Sequence, residues 1–284
     1  MRVLVLGASG MLGNAVYRYL AQDTALRVYG STRSSIALKQ FAGPLGKNLL
    51  TGADVENPDA LVRLFAQARP DVVVNCIGLI KQLAEVDNPL VALPINALLP
   101  HRIAHLCELS NARFIHISTD CVFSGSKGNY KESDIPDARD LYGRSKLLGE
   151  VDYPHAITLR TSIIGHELNS AHGLVGWFLS QEGGVKGFTK AFFSGLPTVE
   201  LARVIRDFVL SRTDLHGVYH VSSDTISKYS LLDLVNREYR KDLRIDPDDK
   251  LQIDRSLDSE RFKAATGYSA PPWPQLVAQM RVFQ

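Results

Sequence analysis

A glycine triplet between a strand-like run and a helix-like run constrains the fold more than any other feature of the chain. In VLVLGASGMLGNAVYRYL, the residues Gly7, Gly10 and Gly13 stand where an apolar strand would turn into an amphipathic helix. The first glycine permits a tight turn, the second lets a ligand approach the backbone, and the third lets helix and strand pack closely. The free N–H groups of such a helix N-terminus suit a pyrophosphate. We therefore expect a dinucleotide site here, the alternative being a purely structural glycine turn.

Strand-like and helix-like segments alternate over the first two thirds of the sequence. The apolar runs, bounded by turn residues, are 2–6, 27–30, 71–77, 113–118 and 156–160, and the helical patterns between them are 11–22, 57–69, 96–109 and 141–150. In one such unit, Asn57 can cap a helix that starts at Pro58. This alternation predicts an α/β fold: a Rossmann-type, doubly wound parallel sheet.

The last third of the sequence changes character, and we interpret it as a smaller C-terminal substrate-binding lobe. A stretch rich in glycine and aromatic residues comes first, and a helix at 197–212 and a strand at 217–222 follow it. The predicted division is a Rossmann domain for NADP from 1–164 with 196–222, and a substrate-binding lobe from 165–195 with 223–284.

Composition excludes several classes of function. Hydrophobic residues make up 45% and charged residues 22% of the 284 residues, and the net charge is only +2. Without a lysine/arginine tract, there is no case for a nucleic acid or an acidic membrane surface as partner. The apolar runs, such as VVVNCIGLI, look too short to span a bilayer, and no secretory leader is visible. Cys76, Cys107 and Cys121 form no spaced pair, so we expect reduced thiols and a cytoplasmic location.

The end of the second strand favours NADP over NAD. An NAD site usually presents a carboxylate about 20 residues beyond the glycines, for the ribose 2′-hydroxyl. No carboxylate occurs between Asp23 and Asp54, and Arg33, next to Ser31 and Thr32, stands in that place. A guanidinium suits a 2′-phosphate. NADPH is therefore the expected cofactor, with NAD as an alternative if Arg33 is only a solvated loop residue.

A tyrosine and a lysine four positions apart, in DLYGRSKLLGE, predict the chemical site. On a helix, Tyr142 and Lys146 lie on one face, one turn apart. A nearby ammonium lowers the pKa of a phenol, which makes the tyrosine a better acid near neutral pH. Ser118 and Thr119 end a predicted strand, where side chains face the ligand crevice of a parallel sheet. One of these two hydroxyls can bind the substrate oxygen beside Tyr142.

Taken together, the motifs resemble the extended short-chain dehydrogenases/reductases, and most of all the dTDP-4-dehydrorhamnose reductase family. The matching segments occur in the family's order over nearly the whole chain: GASGMLG, VVVNCIG, INALLPHRIA, ISTDCVFSGSKGNYKESD, YGRSKLLGE, LRTSIIG, GLPTVELARVI and RSLDSERFKAATGYSAPPW. The resemblance implies reduction of the 4-keto group of a nucleotide-linked deoxysugar by a nicotinamide cofactor, in the supply of activated sugar for surface polysaccharide. No metal is implied.

The resemblance also assigns roles to residues. Thr119, Tyr142 and Lys146 would be catalytic, with Thr119 rather than Ser118 as the active hydroxyl. Tyr142 and Lys146 would also contact the cofactor, together with Gly7, Ser9, Gly10, Met11, Leu12, Gly13, Ser31, Arg33, Asp54, Val55, Cys76, Ile77, Gly78 and Asn96. The expected substrate-binding residues are Lys81, Thr119, Val122, Phe123, Trp177, Lys190 and Phe193.

One segment departs from the family pattern. GFTKAFFSGLPT keeps the Gly-x-Pro-Thr end, but Lys190 to Phe193 replace a polar lead-in. Lys190 could meet a diphosphate, and Trp177 or Phe193 could stack on sugar or base, the alternatives being a surface lysine and core aromatics. The base, the sugar and the product stereochemistry therefore stay open.

The sequence is also compatible with other functions and contains one further candidate site. A sugar-nucleotide epimerase or dehydratase of the same superfamily would hold its cofactor tightly, and a non-catalytic nucleotide-binding regulatory subunit would serve an assembly partner. His101 and His105 are spaced like metal ligands, but no third ligand is evident, so we expect a surface helix. Relatives often form homodimers, and nothing in the sequence decides this for the chain.

Overall fold

The computed structural model of the chain describes residues 1–41 and 43–284. The strands are β1 Arg2–Leu6, β2 Arg27–Ser31, β3 Leu49–Leu50, β4 Val72–Asn75, β5 Arg113–Thr119, β6 Ala156–Thr161, β7 Ile163–Ile164, β8 Gly184–Phe188, β9 Ala191–Phe193, β10 Leu196–Pro197, β11 Gly217–His220, β12 Ile226–Ser227, β13 Arg244–Asp248 and β14 Ile253–Asp254. The α-helices are α1 Met11–Leu20, α2 Gly43–Lys47, α3 Pro58–Ala68, α4 Pro89–Ala92, α5 Leu99–Leu109, α6 Leu141–Leu148, α7 Leu174–Ser180, α8 Thr198–Val204, α9 Lys228–Tyr239, α10 Glu260–Thr266 and α11 Trp273–Val282.

Seven of the strands form one parallel sheet, in the order β11-β6-β5-β4-β1-β2-β3. The order runs outward from β1 in both directions, which is the doubly wound arrangement predicted from the alternation of elements. The predicted fold class is therefore confirmed. Because all seven strands point the same way, their carboxyl ends share one edge, and the loops that follow them meet there.

The two faces of the sheet are covered by separate apolar layers. One layer includes Val16 of α1 and Leu201 of α8, with inward-facing residues of β1 and β5. The other includes Leu61 of α3 and Ile103 of α5. Asn57 caps α3 as predicted, because its side chain accepts from the N–H groups of Asp59 and Ala60.

The helix predicted at 96–109 begins earlier than expected. Asn88 caps α4 by accepting from the N–H of Leu90 at 3.0 Å, and π-type turns at Leu93–Leu98 join α4 to α5. Pro94 lies in these wider turns, and its missing N–H removes one donor from the regular pattern. The chain therefore continues as one helix over Pro89–Leu109.

This long helix is also apolar enough, by length and composition, to cross a bilayer, which the short apolar runs did not suggest. It has 21 residues. Its most apolar 18-residue stretch has a mean hydropathy of 1.2 and is 44% buried inside the protein. Ile103, Ala104 and Cys107 pack against the sheet. Core helices pass the same test, so the feature is weak evidence for a membrane.

Short strands from the second half of the chain form three small sheets: β10-β7, β12-β9-β14 and β13-β8. Strands β8, β9, β12, β13 and β14 come from the segments assigned to the substrate lobe, whereas β11 joins the large sheet. The domain boundaries themselves stay a prediction.

Candidate active site

A groove of about 720 Å³ opens at the carboxyl edge of the large sheet. Its lining comes from the glycine turn, the loop after β4, the ends of β5 and β6, helix α6, and the short strands of the last third. Crevices in this position are the usual ligand sites of open parallel sheets, and the volume is in the range of small-molecule sites.

The three glycines take three different roles at the turn between β1 and α1. Gly7 has a φ of +82°, which favours glycine, and a Cβ on Gly13 would lie 2.0 Å from the carbonyl oxygen of Gly7. Gly10 is exposed, and a Cβ there would meet only the Gly7 oxygen, at 3.4 Å. No side chain caps the N-terminus of α1. The turn is therefore closed on the protein side and open on the groove side, where Ser9, Met11 and Leu12 also lie.

The end of β2 lies beside this turn. The N–H of Ala8 donates to the Ser31 carbonyl at 2.9 Å, and the N–H of Gly7 donates to the Ser31 hydroxyl at 3.4 Å. Arg33 follows and is exposed, and Asp54 and Val55 lie in the adjacent loop after β3. None of these last three lines the described groove, so their adenosine-side roles stay predictions.

Thr119, Tyr142 and Lys146 all line the groove. Asp140 caps α6 by accepting from the N–H of Gly143 at 2.8 Å, which fixes the start of the helix that carries the tyrosine and the lysine. The Lys146 ammonium donates to the Ile117 carbonyl at 2.9 Å. The three residues predicted to be catalytic therefore meet on one wall.

Ser118, the other hydroxyl considered, is engaged elsewhere. It donates to the Glu150 carboxylate at 2.6 Å. The Thr119 oxygen, by contrast, accepts from the N–H of Cys121 at 3.1 Å and donates to Asp120 at 3.2 Å. Both side chains line the groove, and the choice of Thr119 over Ser118 as the active hydroxyl stays a prediction.

The family model described as the RmlD substrate binding domain matches residues 1–281. The chain belongs to this family. A probable low-salt glycan biosynthesis reductase of Haloferax volcanii is 34% identical over 182 residues, which cover 62% of this chain and 58% of that protein. The beta subunit of methionine adenosyltransferase 2 from Danio rerio is 31% identical over 245 residues, which cover 81% of this chain and 71% of the subunit.

A solved structure shares the fold over its whole length. The dTDP-4-dehydrorhamnose reductase of Bacillus anthracis, in complex with NADP, has a TM-score of 0.79 and 18% identity, covering 100% of this chain and 98% of that chain. By sequence, however, the chain spans about half the length of the curated relatives it matches. The predicted resemblance to this reductase family is confirmed.

The electrostatics of the RmlD-family site correct one expectation. The pKa of Tyr142 is raised, not lowered: burial is the main cause, the nearby Cys121 and Asp120 add to it, and the Thr119 side chain opposes it. Lys146 does not supply the expected lowering. It points to the Ile117 carbonyl, and burial lowers its own pKa to about 8. Tyr142 is therefore a protonated phenol at neutral pH in this structure.

Two residues predicted to bind substrate are buried instead. The side chains of Val122 and Phe123 are 0% exposed and form a small core with Tyr130 and Leu257. The Phe123 ring stacks on Tyr130 with centroids 4.2 Å apart. Their prediction as substrate-contacting side chains is wrong, because the segment after Thr119 turns inward into this core.

Other predicted residues also lie off the groove. Trp177 on α7 and Lys190 before β9 do not line it, and Lys190 is 3.6 Å from Asp249. The Asn96 side chain accepts from the N–H of Leu79 at 2.9 Å and donates to Ser145 at 3.2 Å, so it holds the loop after β4 against α6. Asn96 thus supports the wall from behind and does not face the ligand side.

The remaining predicted residues line the groove: Cys76, Ile77, Gly78, Lys81 and Phe193. Lys81 pairs with Asp140 at 2.6 Å. Burial raises the thiol pKa of Cys76 to about 12, so the thiol is neutral at physiological pH.

Several groove residues were missed from the sequence. Arg255 donates to the Phe123 carbonyl at 2.8 Å, and Lys228 begins α9. Both line the groove, as do Phe192 and Asp120. The only signal for Arg255 was that it opens the family-like segment RSLDSERF. Lys228 had no signal, because its position depends on how the short strands pack.

The two spaced histidines have protein partners. His101 contacts the Tyr153 hydroxyl at 3.0 Å and the Leu148 carbonyl at 2.9 Å, and His105 is 3.6 Å from Glu108. Within residues 1–41 and 43–284, no group of three or more His, Cys, Asp or Glu side chains is arranged to hold a metal ion.

Proposed function

We propose that the chain is an NAD(P)H-dependent oxidoreductase that reduces the 4-keto group of a nucleotide-linked deoxysugar, as the name of its dTDP-4-dehydrorhamnose reductase neighbour suggests. The observation that carries the proposal is the meeting of Thr119, Tyr142 and Lys146 on one wall of a groove that also contains the open glycine turn. A structural glycine turn alone would not need such a wall beside it.

The cofactor proposal rests on the shape of the turn. The space above Gly10 and the uncapped N-terminus of α1 fit a pyrophosphate, which accepts hydrogen bonds from free backbone N–H groups. Arg33, exposed beside the turn, would favour the 2′-phosphate of NADP. When bound, the nicotinamide would supply the hydride.

The chain's own residues would handle the proton. Tyr142, kept protonated by burial, donates to the alkoxide that forms at C4. This transfer is favourable despite the raised pKa, because an alkoxide is a stronger base than a phenolate. The Thr119 hydroxyl would stabilise the same oxygen by a hydrogen bond, and the Lys146 ammonium would bind the cofactor ribose.

Two basic side chains that line the groove suit the substrate's diphosphate. Lys228 and Arg255 line the groove, and the Arg255 guanidinium is held in place by the Phe123 carbonyl. A fixed guanidinium recognises phosphate well because it loses little freedom on binding. Lys81 would add a third cation if substrate draws it from Asp140.

The wider biological role is a proposal of the same kind. The name of the Haloferax relative, a glycan biosynthesis reductase, supports a place in the supply of activated sugars for surface polysaccharide. A cytoplasmic location and a homodimer remain predictions.

A cofactor-oxidation assay tests the proposal. NADPH absorbance is followed with a panel of nucleotide-linked 4-keto-6-deoxysugars, with the wild type beside Tyr142→Phe. Turnover on one member, reduced at least about 100-fold in the variant, is expected for a lost general acid. Turnover that survives unchanged in Tyr142→Phe would reject the mechanism.

A second candidate function is a nucleotide-binding regulatory subunit. The observation that favours it is the match of 81% of this chain to the beta subunit of methionine adenosyltransferase 2. NADPH binding without turnover on any panel member would support this candidate. Recovery of the purified chain with NAD tightly bound would instead support the epimerase alternative.

A further inference from the structure

A buried ion pair behind helix α6 is not used by the proposed chemistry. Glu150 lies two residues beyond the end of α6, Arg160 lies in β6, and both side chains are 6% exposed. Arg160 donates from Nη2 to one Glu150 oxygen at 2.6 Å and from Nε to the other at 2.7 Å. Such pairs seldom stabilise a fold more than apolar residues would, so their benefit is often a fixed geometry.

The same carboxylate also binds the strand that carries Thr119. The Ser118 hydroxyl donates to Glu150 at 2.6 Å, and Ser118 is paired with Arg160 in the register of β5 and β6. Glu150 therefore joins the end of α6 to the ends of two strands. Since Tyr142 lies on α6 and Thr119 follows Ser118 directly, this junction sets how the tyrosine and the threonine face each other.

Glu150 also acts on Lys146, which precedes it by four residues in the chain. Lys146 is 5% exposed, and burial lowers its pKa to about 8. Glu150, on the same chain segment, is the main group that opposes this lowering, and Cys76 at the end of β4 is a weaker one. From β5, His116 faces the lysine, and its own pKa is lowered by burial and by Lys146.

We propose that Glu150 is a positioning residue that fixes α6 against the end of β5 and supplies a negative charge to the buried surroundings of Lys146. The inference rests on the proposed function for the use of the Lys146 ammonium. The charge relation between Glu150 and Lys146 is a property of the free protein and is measured without turnover.

The direct test is a pH titration of the Lys146 amine by NMR of protein labelled with ¹⁵N-lysine, the signal being assigned with Lys146→Arg. Glu150→Gln is expected to lower the midpoint by about 1 pH unit. Glu108→Gln, an exposed carboxylate change on α5, should leave the midpoint unchanged. An unmoved midpoint in Glu150→Gln would overturn the proposal.

Folding and charge are separated by two further variants. If Glu150→Gln does not fold because Arg160 is left unpaired, Glu150→Gln with Arg160→Gln removes both charges, and the lower Lys146 midpoint should persist. Glu150→Asp keeps the charge but, with a side chain one methylene shorter, moves the carboxylate away from Ser118. It should reduce kcat while leaving the alkaline limb of the kcat–pH profile in place.

Turnover then distinguishes this inference from the proposed function. With an active wild type, the alkaline limb in Glu150→Gln should move with the NMR midpoint, and a lower kcat with an unmoved limb would show a purely structural role and overturn the inference. With a wild type that reduces no panel member, the proposed function fails, while a shifted NMR midpoint still supports the role of Glu150.

Discussion

The contrast between Gly10 and Gly13 gives a sharp test of the proposed cofactor site. A methyl group at position 13 would lie 2.0 Å from the carbonyl oxygen of Gly7, inside the packing of α1 against β1. Gly13→Ala must therefore move backbone, and we expect a loss of about 3 kcal/mol in the free energy of unfolding. At position 10, the methyl group would meet only the Gly7 oxygen, at 3.4 Å, and the backbone has an ordinary φ of −81°.

Gly10→Ala should accordingly fold with a loss below about 1 kcal/mol. Its methyl group would stand where the pyrophosphate approaches, so we expect at least a tenfold weaker Kd for NADPH, or about 1.4 kcal/mol. Urea unfolding measures the first quantity, and a fluorescence titration with NADPH measures the second. Equal NADPH affinity of Gly10→Ala and the wild type would refute the reasoning that the open space at this turn is a phosphate site.

Three other variants test separate parts of the site. Arg255→Met should raise the KM for the nucleotide sugar at least about tenfold, while the KM for NADPH changes less than about twofold. Initial-rate assays measure both constants, and Lys190→Ala, which lies off the groove, should leave both unchanged. Arg33→Ala should raise the KM for NADPH far more than that for NADH, and equal effects would reject a 2′-phosphate contact. Between about pH 8 and pH 10.5, the unfolding free energy of the wild type should rise relative to that of Lys146→Met, because the unfolded chain holds the Lys146 proton more tightly than the folded chain. Urea unfolding of both proteins across this pH range measures the difference. Identical slopes of unfolding free energy against pH in the wild type and in Lys146→Met would contradict this prediction.

The sequence predicted the large sheet and one wall of the groove because those features have local signals. The glycine triplet fixes a turn by its own conformational freedom, and Asn57 with Pro58 begins α3 by local capping. Tyr142 and Lys146 needed only a helix to lie on the same face, which α6 provides.

The groove residues from the C-terminal part of the chain were predicted poorly, because their positions depend on packing between distant segments. Arg255 reaches the groove through its bond to the Phe123 carbonyl, 132 residues away in the chain. Val122 was expected to face the ligand, but the chain turns there into a core completed by Leu257. Contacts between segments so far apart in the chain leave no periodic pattern in the sequence from which they could be predicted.

The direction of the Tyr142 pKa shift could not be predicted from the sequence. Sequence spacing placed an ammonium near the phenol, but the direction of the shift depends on burial, which outweighs any single charge here.

Transfer of deuterium from 4-deuterated NADPH to the nucleotide sugar tests the proposed reaction most directly. The sugar product is isolated after turnover on the active panel member and examined by NMR and mass spectrometry. A reductase places one deuterium at C4 and yields one oxidised cofactor for each product. A product without deuterium at C4, or an isomerised sugar with the cofactor still reduced, would contradict the proposed hydride transfer.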